Sequence, residues 1–397
     1  MAATASSSVL AYYRENRFNP VLIPVEQEAV WVAHYTKRRN LYERHLRLPP
    51  SLLRDRRVLE FGPNSGENAL VLALHGARLT LVEPNEQVIP RLYELFDRFG
   101  VRDQLESVRC SGISAFESNE QFDLVIAEGF LYTLPDRDDL LRRLTRLVAP
   151  GMFGIVSSND LHGGLIELLR RAVLYRVCRL SGVADEHSPE GLALARQLYL
   201  SDFGRLNSSR TFEAWWKDTL VNPFYATECL WSFPTLFGIM DETECRVHGC
   251  SPDWLTVDHH DWYKNVSTRK AHAQRVERNW KENFAYVLTG QKPDRHRAPA
   301  ADDAIVESAG HLSAELSDLG RSPGVHDRFP QYPVSLDRFL NEHTDPVVRM
   351  ANSDIKVLVA ALAGNDPDAL IRAYANSTTL RGLWGTAYHY LSFVRAS

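Results

Sequence analysis

Two acidic residues and two glycines early in the chain have the types and spacing needed to bind a nucleoside. Glu60, Gly62 and Gly66 lie in the stretch RVLEFGPNSGEN, and Glu83 ends a second apolar run. A turn bounded by glycines lets backbone N–H groups approach a ligand closely. An acid at the tip of the following strand accepts hydrogen bonds from ribose hydroxyls. The pattern therefore predicts that both features serve a nucleoside.

The same turn separates two classes of nucleoside ligand. A dinucleotide site has the pattern G-x-G-x-x-G, in which the pyrophosphate lies against a helix N-terminus. Here Asn64 stands in place of the middle glycine. The preceding Glu60 would repel phosphate, whereas it could hold an ammonium group directly or through water. A nucleoside that carries an amino acid fits this turn better than one that carries phosphates, and S-adenosylmethionine is such a ligand.

A strand, a turn, a helix and a second strand must position these residues. The apolar runs before Gly62 and Glu83 are typical of strands that are buried on both faces of a parallel sheet. Residues 67–74 between them are helix formers with an acid in the first turn. Open α/β sheets bind ligands at the carboxyl edge of their strands, so we expect the turn and Glu83 to lie at that edge.

On these residues the sequence resembles the class I S-adenosylmethionine-dependent methyltransferases. Their motif of acid-x-Gly-x-x-x-Gly is similar to Glu60, Gly62 and Gly66, and their ribose-binding acid is similar to Glu83. The stretch FDLVIAEGFLY resembles the fourth strand of the family and the loop near the methyl sulfonium. The stretch LRRLTRLVAPG resembles the helix and turn that precede the fifth strand. The resemblance covers roughly residues 55–160.

The resemblance implies an α/β fold with a Rossmann-like seven-stranded core and one cofactor, S-adenosyl-L-methionine. In many small-molecule members a leading helix closes over the cofactor, and here Tyr35, Arg38, Arg39 and Tyr42 are candidates for contact with its carboxylate. The alternative is a helix whose basic face is only solvated. We assign the cofactor site to Glu60, Phe61, Gly62, Pro63, Asn64, Gly66, Glu83, Pro84, Gly112, Ile113, Glu128 and Gly129, with Tyr35 and Arg39 from the leading helix.

The sequence departs from the family in two places. Many members carry an Asp after the third strand that accepts a hydrogen bond from the adenine amino group, whereas this chain has Gly112 and Ile113 there. We therefore expect backbone contacts and packing by Ile113, with Ser114 as a polar substitute. The Asn-Pro-Pro-Tyr type of motif of DNA and protein amino-group methylases is also absent, because residues 127–130 read AEGF. This difference argues against a nucleic acid substrate.

The predicted core is preceded by a lid and interrupted by an insertion. Residues 1–50 form a helical N-terminal lid, and residues 51–291 form the S-adenosylmethionine-binding core. We place the sixth strand within residues 242–254 and the seventh within residues 283–291. Residues from about 160 to 240 are more chain than one crossover requires, so they are predicted to form a helical and aromatic insertion after strand 5 that caps the substrate.

The remainder of the chain is predicted to be a linker and a small helical region. Residues 292–332 are polar and contain prolines, as linkers do. Residues 333–397 have helical spacing with N-cap and C-cap signals, and we extend the last helix through Leu391. Three roles are open for this C-terminal region: docking on the core, forming a homodimer through its helices, or binding another partner.

Three groups of polar side chains follow predicted strands and could supply a general base. Asp160 and His162 follow the fifth strand, His259 and His260 follow the sixth, and Glu128 and Tyr132 follow the fourth. We select Asp160, His162, His259 and His260 as catalytic candidates, although any single histidine could instead be structural. The stretch VDHHD also permits a metal interpretation. Adjacent side chains point apart, so we predict no metal.

The composition fits a folded protein that acts on small molecules. The chain has 397 residues, of which 44% are hydrophobic and 24% charged, with a formal net charge of −5. This charge provides no general field to attract nucleic acid or an anionic membrane. The five cysteines are scattered, and the N-terminal residues lack the pattern of a signal peptide. We expect free thiols, a cytoplasmic location and no membrane segment.

The predicted function is transfer of a methyl group from S-adenosylmethionine to a small-molecule acceptor. The acceptor atom is predicted to be a hydroxyl oxygen, on a sugar or another biosynthetic intermediate. One alternative keeps the cofactor and changes the reaction, because the fold supports other sulfonium chemistry. A second alternative is a protein that binds S-adenosylmethionine without catalysis and works through its C-terminal region.

Overall fold

The computed structural model describes residues 10–12, 14, 23–206, 210–225, 230–255, 264, 268–291, 300–319 and 329–396. The chain divides into two compact units. The sheet unit comprises Met1–Ser158, Phe233–Glu277 and His389–Ser397. The helical unit comprises Asn159–Ser232 and Arg278–Tyr388. The predicted insertion after strand 5 therefore shares one unit with most of the chain that follows the core.

Seven strands form a single sheet in the order β3-β2-β1-β4-β5-β7-β6. The pairs β1–β2, β1–β4, β2–β3 and β4–β5 are parallel, and β6–β7 is antiparallel. This arrangement confirms the predicted α/β class and the seven-stranded core. The strands are β1 (Arg57–Phe61), β2 (Arg78–Val82), β3 (Leu105–Arg109), β4 (Phe122–Ala127), β5 (Val148–Asn159), β6 (Cys245–Ser251) and β7 (Tyr388–Arg395).

Fourteen α-helices lie in the described part of the chain, together with short 3-10 and π turns. None of these described helices is long and apolar enough to traverse a lipid bilayer. The helices are α1 (Glu28–Asn40), α2 (Glu67–Leu74), α3 (Ile89–Arg98), α4 (Arg137–Leu147), α5 (Leu165–Leu180), α6 (Pro189–Phe203), α7 (Phe212–Trp215), α8 (Phe233–Glu242), α9 (Arg269–Glu282), α10 (Phe284–Thr289), α11 (Asp303–Leu319), α12 (Val334–Asn341), α13 (Pro346–Ala361) and α14 (Pro367–Asn376).

The core of the sheet unit follows from the apolar runs seen in the sequence. Val58, Leu59 and Phe61 of β1 are buried, as are Leu79 and Leu81 of β2. Strands that lie in the middle of a parallel sheet have both faces covered by helices, so their side chains are apolar on both faces. Glu60 is buried among these apolar residues, where an ionisable side chain is seldom found without a partner.

The helical unit is held together by buried arginines on α5. The Arg170 side chain donates hydrogen bonds to the Tyr374 hydroxyl at 3.1 Å and to the Leu383 carbonyl at 2.8 Å. The Tyr374 hydroxyl in turn donates to Asp202, which pairs with Arg381 at 2.9 Å. These contacts join the predicted insertion to residues near the C-terminus, so the two stretches form one structural unit.

The seventh strand lies elsewhere than predicted. Residues 283–291 form helix α10, in which buried Phe284, Val287 and Leu288 recur at helical spacing. Strand β7 is formed by residues predicted to be the last helix. Its buried His389 and Leu391 alternate with the less buried Tyr388 and Tyr390, which is the period of a strand, and Ser392 and Phe393 are both buried.

One further stretch differs from the sequence prediction. Residues 303–319, placed in a linker, form helix α11, whose buried Ala309, Leu312 and Leu316 occupy one helical face. The sixth strand is where it was predicted, as β6 within residues 242–254. The alternation in β7 had been obscured by large aromatic residues, which occur in helices and strands alike.

Candidate cofactor site

The glycine-rich turn after β1 has a backbone that few residues can adopt. Gly62, Asn64 and Gly66 have φ values of +66°, +53° and +92°. Glycine adopts these values without steric cost, and asparagine tolerates them better than most other residues. The Gly62 N–H donates to the Val82 carbonyl at 2.9 Å, which fixes the turn to the end of β2. The turn is therefore preorganised by its own sequence and by the neighbouring strand.

Glu83 ties this turn to the tip of β2. One carboxylate oxygen accepts a hydrogen bond from the Asn64 N–H at 2.8 Å, and the other accepts from the Asn85 N–H at 2.8 Å. Glu83 is only 5% exposed, and burial raises its pKa although both N–H donors oppose the increase. Each carboxylate oxygen can accept more than one hydrogen bond, so capacity for ribose hydroxyls remains.

The described N-terminal residues reach the same edge of the sheet. The Arg14 guanidinium donates to the Pro84 carbonyl at 2.9 Å and lies 3.8 Å from the Glu86 carboxylate. Pro84 directly follows the candidate ribose-binding acid. Arg14 therefore lies beside the predicted cofactor residues. A segment of the predicted N-terminal lid would have to occupy such a position.

A buried ion pair lies on the other side of the turn. The Arg38 guanidinium, on α1, binds the Glu128 carboxylate at 2.9 Å and donates to the Tyr42 hydroxyl. Arg38 is 6% exposed, and the central carbon of its guanidinium group lies 4.8 Å from the centroid of the Tyr42 ring. Helix α1 and the loop after β4 are therefore joined at the edge of the sheet by one fully desolvated charge pair.

Glu60 completes this cluster. It is 4% exposed, and among the described residues its Oε2 atom has no hydrogen-bond partner. Burial raises the pKa of Glu60 to about 8, the Glu128 carboxylate adds to the increase, and Arg38 opposes it. A buried carboxylate with a free oxygen needs a donor or a cation. The residues present therefore fit the ammonium group of an amino acid ligand.

The predicted adenine side of the site is apolar. Ile113 is buried at the start of a short 3-10 turn, Ile113–Ala115, and Phe116 packs edge-on against Phe61 with ring centroids 5.2 Å apart. A Cβ atom on Gly112 would meet no heavy atom within 4 Å. The contacts of Gly112 and Ile113 with adenine stay a prediction.

The loop after β4 approaches the glycine-rich turn. The Gly129 N–H donates to the Ser157 hydroxyl at 2.8 Å, and Gly129 has φ of +84°. The Phe130 ring lies over Gly62, so close that a Cβ atom on Gly62 would be 2.9 Å from it. The structure thus brings together the turn, the ion pair and the loop that the sequence assigned to one site.

Two residues assigned to the site from the leading helix have other partners. The Tyr35 hydroxyl is 3.1 Å from His75 Nε2, at the far end of α2, and Arg39 forms an exposed ion pair with Glu43 at 3.1 Å. Arg38 contacts the predicted site instead. The four candidates were Tyr35, Arg38, Arg39 and Tyr42. Spacing of i,i+4 groups Arg38 with Tyr42 and equally groups Tyr35 with Arg39, so it does not show which pair faces the site.

The catalytic candidates that the structure describes lie in the helical unit. Asp160 Oδ1 accepts hydrogen bonds from the N–H groups of His162 at 2.9 Å and Gly163 at 2.8 Å. The His162 ring packs against Trp280 and Phe284, with its Nε2 atom 3.2 Å from the Val306 carbonyl. These contacts stabilise the start of α5, and the catalytic assignment stays a prediction.

The remaining candidates, His259 and His260, lie outside the described residues. Among residues that are described, no group of three or more His, Cys, Asp or Glu side chains could hold a metal ion.

The four described cysteines are free, and burial raises the pKa of the Cys250 thiol to about 12. Such a thiol is not poised to act as a nucleophile.

Comparison with known families identifies the domain. Residues 32–216 match the family model described as a methyltransferase domain. This part of the chain, which holds the glycine-rich turn, Glu83 and the Arg38–Glu128 pair, therefore matches a methyltransferase domain. None of the curated proteins matches the chain.

Several solved structures are similar to part of the chain. The CcbJ methyltransferase from Streptomyces caelestis is 23% identical over 29% of this chain and 52% of its own, with a TM-score of 0.26. The O-MT segment of StiE is 18% identical over 34% of this chain and 48% of its own, with a TM-score of 0.29. The glycopeptide N-methyltransferase MtfA, complexed with sinefungin, is 21% identical over 32% of this chain and 54% of its own, with a TM-score of 0.27. The matched region spans about half the length of these structures.

Replacing Glu83 by alanine tests the proposed ribose contact. The variant loses two charge-assisted hydrogen bonds to backbone N–H groups and the acceptor for the ribose. We expect the affinity for S-adenosylhomocysteine to fall roughly 100-fold, which corresponds to about 2 to 3 kcal/mol. Isothermal calorimetry measures this change. Glu94→Ala, at an exposed acid on α3, is the control and should bind like the wild type.

Proposed function

We propose that this chain transfers a methyl group from S-adenosylmethionine to a hydroxyl of a small molecule, a sugar or another biosynthetic intermediate. The observation that carries the cofactor assignment is the pairing of two buried acids at neighbouring strand ends. Glu83 holds the glycine-rich turn and faces the expected ribose, and Glu60 presents an unpaired oxygen to the expected ammonium group.

The cofactor, when bound, supplies an electrophilic methyl group. The residues described here bind and orient it: Glu83 at the ribose, Glu60 at the ammonium group and Arg38 as the candidate cation for the carboxylate. Much of the catalysis of methyl transfer comes from holding the two reacting groups at attack distance. A rigid turn fixed by Gly62 and Glu83 suits that task because it positions the cofactor without further ordering.

A small acceptor is supported by charge and by chain organisation. The net charge of −5 gives no general field for nucleic acid. The helical unit includes the chain that directly follows β5, whose end lies at the ligand-binding edge of an α/β sheet. Aromatic residues in the segment that follows β5, such as Trp215 and Trp216, are buried, so they contribute to packing in the described structure.

A hydroxyl acceptor requires a base to take its proton. The contacts of His162 with Val306 and two aromatic rings favour a structural role for that residue. We therefore propose His259 or His260 as the base. Removing a positioned general base typically lowers the rate by about 10²- to 10⁴-fold. We expect His259→Ala or His260→Ala to lower kcat within this range while the affinity for S-adenosylhomocysteine stays at the wild-type value.

The test of the function is a transfer assay with methyl-labelled cofactor against fractionated small molecules from a cell lysate. Label in a small molecule, lost in the Glu83→Ala variant, supports the proposal. Label in RNA or protein would contradict the proposed acceptor. Cofactor binding with no transfer to any fraction would favour a binding protein.

A further inference from the structure

Glu60 and Glu128 lie on the same face at the edge of the sheet. Glu60 is opposite Ile126 in the parallel pair β1–β4, and Glu128 follows Ile126 by two residues. Alternate residues of a strand point to the same face, so the two carboxyl groups are directed to the same side. Both are largely buried, and Arg38 is the cation that pairs with Glu128.

The charges of the cluster do not balance when both acids are ionised. Arg38 supplies one positive charge, and its side chain makes hydrogen bonds to Glu128 and Tyr42 rather than to Glu60. Among the described residues, the other groups that face this cluster add no cation. They are Glu83 from the end of β2, Tyr42 from the π turn after α1, and Tyr390 from β7, whose ring is 5.9 Å from the Arg38 guanidinium.

We propose that Glu60 is a proton-exchanging receptor for the ammonium group of the cofactor, with Arg38 as the positioning residue that pairs with Glu128 beside it. The inference rests on the proposed use of S-adenosylmethionine. In the free protein Glu60 carries a proton, and when the ammonium group binds, the proton leaves to solvent and the carboxylate pairs with the ammonium. Charge is conserved, because one cation replaces another at the same carboxylate.

The direction of the pH dependence follows from this exchange. Burial, and then the Glu128 carboxylate, raise the pKa of Glu60 to about 8 in the free protein, and a bound ammonium lowers it. Only the ionised form pairs with the ligand, so affinity weakens as the pH falls below about 8, by up to about tenfold per pH unit. At higher pH the ligand amine itself loses its proton, and the dependence reverses.

Calorimetry in two buffers with different ionisation enthalpies tests the proposal at about pH 6.5. S-adenosylhomocysteine should bind with release of about one proton, seen as a difference in heat between the buffers. 5′-Methylthioadenosine, which keeps the ribose and adenine but lacks the amino acid, should release none. A proton released equally by both ligands would overturn the proposal, because it would come from the nucleoside end of the site.

Two variants sharpen the test. Glu60→Gln keeps the shape of the side chain, and its binding should release no proton and should lose the pH dependence. Glu83→Gln should bind more weakly and still release the proton. S-adenosylhomocysteine that binds wild type with the same heat in both buffers would overturn this inference alone. Absence of any binding would overturn the proposed function as well, so the two failures are distinguishable.

Discussion

Replacing Arg38 by methionine is expected to lower the free energy of unfolding by about 3 to 5 kcal/mol, because the variant leaves the buried Glu128 carboxylate without its cation. The Arg38 guanidinium is buried and binds Glu128 at 2.9 Å. The ion pair joins α1 to the loop after β4, so the loss should also weaken binding of S-adenosylhomocysteine. Urea unfolding monitored by circular dichroism measures the stability, and calorimetry measures the binding.

The neighbouring Arg39 provides a matched control for this prediction. It is on the same helix and carries the same charge, but its side chain is 54% exposed, and its ion-pair partner among the described residues is Glu43. Arg39→Met should change the stability by about 0.5 kcal/mol or less. The double variant Arg38→Met with Glu128→Gln removes the unpaired charge and should recover part of the lost stability. Equal effects of the two single substitutions would contradict the assigned role of the buried pair.

Replacing Gly62 by alanine is expected to abolish measurable cofactor binding and to destabilise the sheet unit by about 2 to 4 kcal/mol. Two costs add. The backbone has φ of +66°, which an L-residue adopts only with strain, and the new Cβ atom would lie 2.9 Å from the Phe130 ring. The ring must move, and with it the loop that carries Glu128. Urea unfolding and calorimetry with S-adenosylhomocysteine check the two parts.

Gly100 separates the two costs, since it has the same φ of +66° with no heavy atom within 4 Å of a Cβ position. Gly100→Ala should therefore show only the backbone cost, about 1 to 2 kcal/mol, with unchanged binding. In the Gly62→Ala background, Phe130→Ala should recover stability because the clash is removed. If Gly62→Ala and Gly100→Ala prove equally destabilising, the contact with Phe130 has no energetic importance.

The parts of the site that the sequence could predict are local in the chain. The turn from Gly62 to Gly66 and the acid Glu83 are fixed by short-range patterns, because a tight turn and a strand end depend on a few neighbouring residues. The choice between Arg38 and Arg39 was not predictable, since it depends on how α1 is rotated against the sheet. Only packing sets that rotation, and the sequence around α1 has no clear apolar stripe to reveal it.

The position of the last strand shows the same limit for the fold. Residues 284–289 are apolar enough for a strand, yet their burial has helical spacing. Burial alternates over residues 388–391 of β7, but Tyr388 and Leu391 also continue the helical spacing of Leu380, Leu383 and Trp384. Which stretch enters the sheet is decided by long-range hydrogen bonding to β6, and no local pattern encodes that pairing.

The location of β7 has a consequence for biosynthesis. This strand lies between β5 and β6 in the sheet, although more than 130 residues separate it from β6 in sequence. On the ribosome, β1 to β5 can assemble early, whereas β6 has no neighbour until residues 388–395 emerge. Until then a nascent chain exposes the edge of β5 and the apolar side chains that Phe393 will cover, and this interval is when chaperone binding would protect it from aggregation.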